Sequence, residues 1–142
     1  MSRYTSDLEQ ALEEEHGEIE RVVFDGETTD LASVLDEVRT FDLLMRHKLV
    51  ILDSADVFLA AKGSDNKLTR KAMERYTESP VSTATLLLRA TSWRPGNLDK
   101  AVSKIGLVYK LQPYNETDTM RWCVARCKKE HGCTLDPQGA QL

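Results

Sequence analysis

The sequence predicts an α/β fold, a three-layer, mostly parallel sheet flanked by helices, and three observations carry that prediction. Strand-like and helix-like segments alternate along the chain, as in a layered α/β domain. Three strand candidates, residues 49–52, 84–88 and 107–111, are largely continuous apolar runs rather than polar-apolar alternations, as strands covered on both faces must be. At 142 residues and 41% hydrophobic content, the chain is long enough for one domain with a substantial core.

Each element has its own signal. Ser6 or Asp7 caps a first helix running through Leu8, Leu12 and His16 to Gly17, and residues 19–24 (IERVVF) form a first strand, punctuated by Asp25 and Gly26. Thr29 or Asp30 caps a helix with Leu31, Val34, Leu35 and Val38 on one face, ahead of the strand at 48–52, and the three together make a βαβ unit. Residues 67–76 form a helix stopped by Ser79-Pro80, and 84–88 form the next strand. Pro95-Gly96-Asn97 opens a helix carrying Leu98, Val102 and Ile105 to Gly106, followed by the strand 107–111 and a last helix, 116–131, closed by Gly132. Leu135-Asp136-Pro137 reads as the start of a further helix, so residues 1–134 are assigned to one domain and 135–142 to the start of a missing domain or a disordered tail.

Composition excludes some functions. With 30% charged residues and a net charge of -4, the surface is not uniformly basic, so any contact with nucleic acid must be local. No apolar segment approaches the roughly 20 residues that cross a bilayer, and the first fifteen are polar and acid-rich rather than signal-like. A cytoplasmic protein with no membrane contact is expected. Cys123, Cys127 and Cys133, an odd number in one corner, are expected to be reduced.

Catalytic motifs are scarce. There is no G-x-x-x-x-G-K-[ST] and no G-x-G-x-x-G, so no phosphate loop is present, and no cofactor is expected. Asp53 and Asp56 follow an apolar strand, as a magnesium-binding carboxylate does in nucleotide hydrolases, which makes an Asp53-centred receiver-like or magnesium-binding phosphoryl-transfer domain, with Asp25 or Asp56, the enzymatic alternative. The plainer reading has Asp53 ending a strand and Asp56 capping a short helix. Cys123, Cys127, His131 and Cys133 have the types of zinc ligands, but neighbours four residues apart on one helix are about 6 Å apart along its axis, whereas zinc draws its ligands within about 2.3 Å of one centre. Small buried thiols packed on the sheet, beside Met120 and Val124, are the plainer expectation. His16 and His47 are expected to be solvated or capping, and Trp93 and Trp122 half-buried.

One stretch is odd. In TFDLLMRHKLVILDSAD the apolar residues Leu43, Leu44 and Met45 stand between Asp42 and the basic Arg46, His47 and Lys48, just ahead of a strand. They either fold back onto the core or stand out as an anchor for a partner.

The order of residues in VFDGETTDLASVLDEVRTFDLLMRHKLVILDSADVFL, YTESPVSTATLLLRATSW and LDKAVSKIGLVYKLQPYNETDTMRWCVARCKKEHGCTLD resembles the N-terminal domain of the delta subunit of bacterial DNA polymerase III, over residues 19–136. The family's strand and turn fall on Phe24-Asp25-Gly26, its loop on Thr40 with Leu43-Leu44, its basic residues on Arg46, His47 and Lys48, and its strand and acidic end on 49–56. The resemblance implies an AAA+-like topology without the phosphate loop and without ATP hydrolysis. It further implies a clamp-loader part that binds the sliding clamp through a wedge at Leu43 and Leu44, with Phe41 and Met45 as contributors, and helps open it during DNA replication. Partners would be the clamp and other loader subunits, with DNA met only indirectly; Arg46, His47 and Lys48 would face acidic groups at the clamp rim. Two departures stand out. The family begins with a strand and a Gly-containing loop that this chain lacks, so a sheet edge is expected to be incomplete and open to pairing between two copies. The lid and collar domains that follow in the family are also absent, which makes the chain a fragment or a shortened relative.

Overall fold

The structure, a computed structural model, describes residues 2–60, 64–112 and 115–134. The chain divides into two compact units, Met1–Val108 and Tyr109–Leu142. The first holds helix α1 (Ser2–His16), strand β1 (Ile19–Asp25), α2 (Leu31–Arg39), β2 (His47–Asp53), α3 (Ala55–Ala60), α4 (Ser64–Glu78), β3 (Ala84–Leu88) and α5 (Asn97–Ile105); the second holds α6 (Glu116–His131). The strands form a parallel sheet in the order β1-β2-β3, with helices on both faces, as the α/β pattern predicts.

Strand β2 is central, and residues 49–52 are wholly shielded from water. Val50 and Leu52 face a large cluster with Val34 and Val38 of α2, Phe58 and Leu59 of α3, Met73 of α4 and Leu98 of α5. Leu49 and Ile51 face the other way, onto Leu12 and Leu8 of α1. A continuous apolar run is what such a two-sided position demands, and burying each side chain stabilises the fold by about 1.5–3 kcal/mol.

Local signals explain most boundaries. Asp30 caps α2, its carboxylate accepting from the Ser33 N–H at 2.8 Å, and Thr40 closes the helix by donating to Asp36 O. Gly17 ends α1 at φ +82°, donating its N–H to Glu13 O at 2.9 Å. The helix starts at Ser2, ahead of the expected caps Ser6 and Asp7, because Thr5 shares the inward face with Leu12 and is itself buried. At α5 the Asp99 carboxylate accepts from the Gly96 N–H and from the Trp93 indole, which packs half-buried on the larger cluster.

Two expectations are corrected. Residues 107–111 do not form a strand: Leu107 and Val108 end the first unit without regular structure and exposed, and 109–111 likewise form no strand in the second. An apolar run becomes a strand only beside a partner edge, and among the described residues none pairs with it. Helix α6 matches its expected span, capped by Asn115 and closed by Gly132, but it buries no residue; Cys123 and Cys127 are half-buried and Cys133 is exposed. The start expected at Leu135-Asp136-Pro137 lies outside the described residues.

Candidate functional site

The loop between α2 and β2 holds the oddity in the sequence. Met45 donates its N–H to Asp42 O at 2.9 Å, closing a β-turn whose two central residues are Leu43 and Leu44. Leu43 is 98% exposed and Leu44 71%, flanked by Phe41 at 70% and Met45 at 87%. Folding back onto the core is therefore not what these residues do.

The turn is held from below. Asp42, at the corner where a carboxylate favours turn formation, accepts from the Arg46 N–H at 3.2 Å and from its Nε at 2.7 Å, while Arg46 Nη1 donates to Glu18 Oε1 at 3.0 Å. These bonds tie the loop to the entrance of β1. The Arg46 guanidinium holds the Asp42 carboxyl below the usual carboxylate range, and its own pKa is raised by Asp42 first and Glu18 second. Met45 takes the left-handed backbone, φ 56°, that side chains seldom adopt, a conformation kept only where the surroundings over-determine it. A cavity of about 60 Å³ whose lining includes Phe41, Met45, Lys48 and Thr83 is well below the size of a small-molecule pocket. The loop's outer surface is what it offers.

The basic residues beside the turn face inward rather than toward a partner. Lys48 is 5% exposed and bonds Glu37 at 2.5 Å, with Glu20 at 3.6 Å; burial pulls its pKa down, but these two carboxylates outweigh it and hold it above the ordinary value. His47 Nε2 lies 2.9 Å from Thr85 Oγ1. Its ring stacks on that of His16 at the end of α1, centroids 4.0 Å apart and planes within 5°. Burial, then the charge of His16, lowers the His47 pKa. This pair and the Glu18 anchor were not foreseen, since both join residues far apart in sequence; Asp42 and Arg46, one helical repeat apart, carried a readable signal.

The carboxylates at and just after the strand ends each have a protein partner, although Asp56 Oδ1 is buried without one among the described residues. Asp25 and Asp53 end neighbouring strands in register. Both oxygens of Asp53 accept from the Arg89 guanidinium, whose Nη1 also donates to Thr5 Oγ1 at 3.4 Å. Asp25 accepts from the Glu27 N–H at 3.0 Å. Asp56, in the first turn of α3, accepts from Thr91 Oγ1 and from the N–H and Oγ of Ser92; burial raises its pKa, but these bonds prevail and hold it low. Among the described residues no three His, Cys, Asp or Glu side chains gather where they could hold a metal ion, and Cys133 Sγ donates to His131 O at 3.3 Å. Nothing in this arrangement supports the magnesium or zinc reading.

The family model for DNA polymerase III, delta subunit, matches residues 4–113. The chain belongs to that family. Among solved structures, the delta-family chain is similar to the Bacillus subtilis DNA clamp loader delta protein YqeN, with a TM-score of 0.60 and 24% identity, over 85% of this chain and 37% of that one. The delta-family chain thus spans well under half the length of that protein. No curated protein matches it. The matched segment begins ahead of β1, earlier than the resemblance at residues 19–136, and stops short of α6.

Proposed function

We propose that this chain binds the sliding clamp through Leu43 and Leu44, with Phe41 and Met45 at their sides, and helps to open it as a mechanical part of a clamp loader, without catalysis of its own. The observation that carries this is the stapled turn from Asp42 to Met45, which displays two exposed leucines on a fixed support, uncovered among the described residues. A pre-ordered apolar tip suits an apolar pocket, because little side-chain and loop entropy remains to be lost on docking. Opening follows if the tip binds the opened clamp better than the closed one; equal affinity for both would open nothing. The similar Bacillus subtilis protein is a clamp loader delta protein, which supports the assignment. Other loader subunits are further partners in this reading, and it places the chain in the cytoplasm.

The sheet supports a second contact. Strands β1 and β3 are the outer strands of the sheet among the described residues, and two copies pair through one of these edges.

The test is calorimetric titration of the chain into the sliding clamp of its own organism, beside Leu43→Ala/Leu44→Ala, with circular dichroism to verify folding. The variant is expected to bind at least about a hundredfold more weakly, since each leucine contributes about 1.5 kcal/mol or more when buried. A folded variant that binds like the parent removes the wedge; no binding by the intact chain removes the clamp.

A further inference from the structure

We infer that α6 carries a docking face for single-stranded nucleic acid, independent of the wedge and of any clamp. Residues 119–129 hold four cations and no carboxylate, in a chain whose net charge is -4. The helical repeat sorts them: Met120, Cys123, Val124 and Cys127 fall on one side and are half-buried, whereas Arg121, Trp122, Arg126, Lys128 and Lys129 fall on the other and are exposed. Lys128 and Lys129 make no ion pair among the described residues, and Arg121 reaches Asp118 only at 3.9 Å. These three are available to phosphates.

Trp122 decides between polyanions. A large aromatic ring, 37% exposed, lies in the middle of the cationic face, and the Arg126 guanidinium sits over it at 4.9 Å from the centroid, itself fixed by Glu130 Oε2 at 3.0 Å. Flat aromatic and guanidinium groups flanked by lysines form the pairing that single strands use, bases on the planes and phosphates on the cations. Duplex DNA hides its base faces and has no use for the indole. An anionic membrane would need a freely exposed apolar side to insert, and the apolar side of α6, Met120, Cys123, Val124 and Cys127, is half-buried.

The experiment is fluorescence anisotropy of a labelled oligothymidylate of about 20 nucleotides titrated with the full chain, starting at about 50 mM salt. Saturable binding is expected, with log K falling against log salt at a slope of about -2 to -3, the release expected from three or four phosphates. Lys128→Glu/Lys129→Glu is expected to weaken binding at least about tenfold and flatten that slope. Trp122→Ala is expected to weaken it roughly five- to hundredfold while leaving the slope in place, which a merely electrostatic face would not do. The inference is overturned if the intact chain does not bind, if the slope is flat, if either folded variant binds like the parent, or if phosphatidylserine vesicles are bound and the oligonucleotide is not. The parent's salt slope needs no variant and decides by itself should a substitution disturb the helix.

Discussion

Asp42 does for the loop what a cap does for a helix: one short carboxylate satisfies the backbone and side chain of Arg46 and fixes how Leu43 and Leu44 are presented. Its removal leaves the leucines in place but frees the turn, so Asp42→Ala is expected to weaken clamp binding roughly two- to tenfold, the cost of ordering the loop anew on docking, with the circular dichroism spectrum unchanged. Calorimetry beside the leucine variants checks it; equal affinity would mean that the turn needs no staple. Gly26 is the opposite kind of residue, irreplaceable through what it lacks. A Cβ there would stand 2.7 Å from Ser54 O and 2.8 Å from Asp53 O, both backbone atoms that cannot swing away. Gly26→Ala is expected to cost about 1–3 kcal/mol in chemical denaturation, the usual range for overpacking. Both residues were visible as types, a turn-forming Asp with Arg four residues on and a glycine after a strand. Their partners, Glu18 and the β2-α3 corner, were not, because sequence spacing does not report which distant backbone comes close.

Among elements, the alternation of apolar runs and amphipathic helices was legible, and the three strands and most of the helices fall where the pattern puts them. Residues 107–111 show where such reading stops: hydrophobicity reports a wish for burial, while strand formation depends on a neighbouring edge. The packing of α1 on β2 was equally invisible, and the stacked His16 and His47 join the two elements at the rim below the loop. That junction is sensitive to acid. The groups facing His47 are His16 and Glu15 from α1 and Thr85 from β3, and the net effect lowers its pKa. A lowered histidine pKa means the unfolded chain binds the proton more readily, so the stabilisation is complete above the ordinary value of 6.5 and is lost as pH falls through the folded value below it. The thermal midpoint is expected to drop as pH falls below about 6.5, before the carboxylates titrate, and His47→Gln is expected to flatten the drop. Parallel melting curves that fall equally in parent and variant would assign the loss to other groups.

At the level of the molecule, the first unit presents unfinished surfaces of different kinds. The leucine turn is apolar, small and held by Asp42 and Arg46, which in the proposed reading suits one pocket on one partner. Among the described residues the outer edges of β1 and β3 pair with no further strand, and Leu107 and Val108 are exposed; open edges and exposed apolar runs are what proteins in water otherwise blunt. If two copies pair through this unit, sedimentation equilibrium of the full chain should show a monomer–dimer equilibrium that tightens with added sulfate, as apolar contacts do. Leu107→Lys/Val108→Lys should shift it to monomer without loss of helical signal, because both side chains already lie in water and their replacement costs the fold little. Clamp binding by that variant should persist at parental strength, since the leucine turn is a separate feature of the unit. A chain that stays monomeric across the concentration range would mean that the sheet edges are left unpaired in solution, and would remove the homodimer from this reading while leaving the leucine turn to be tested by itself.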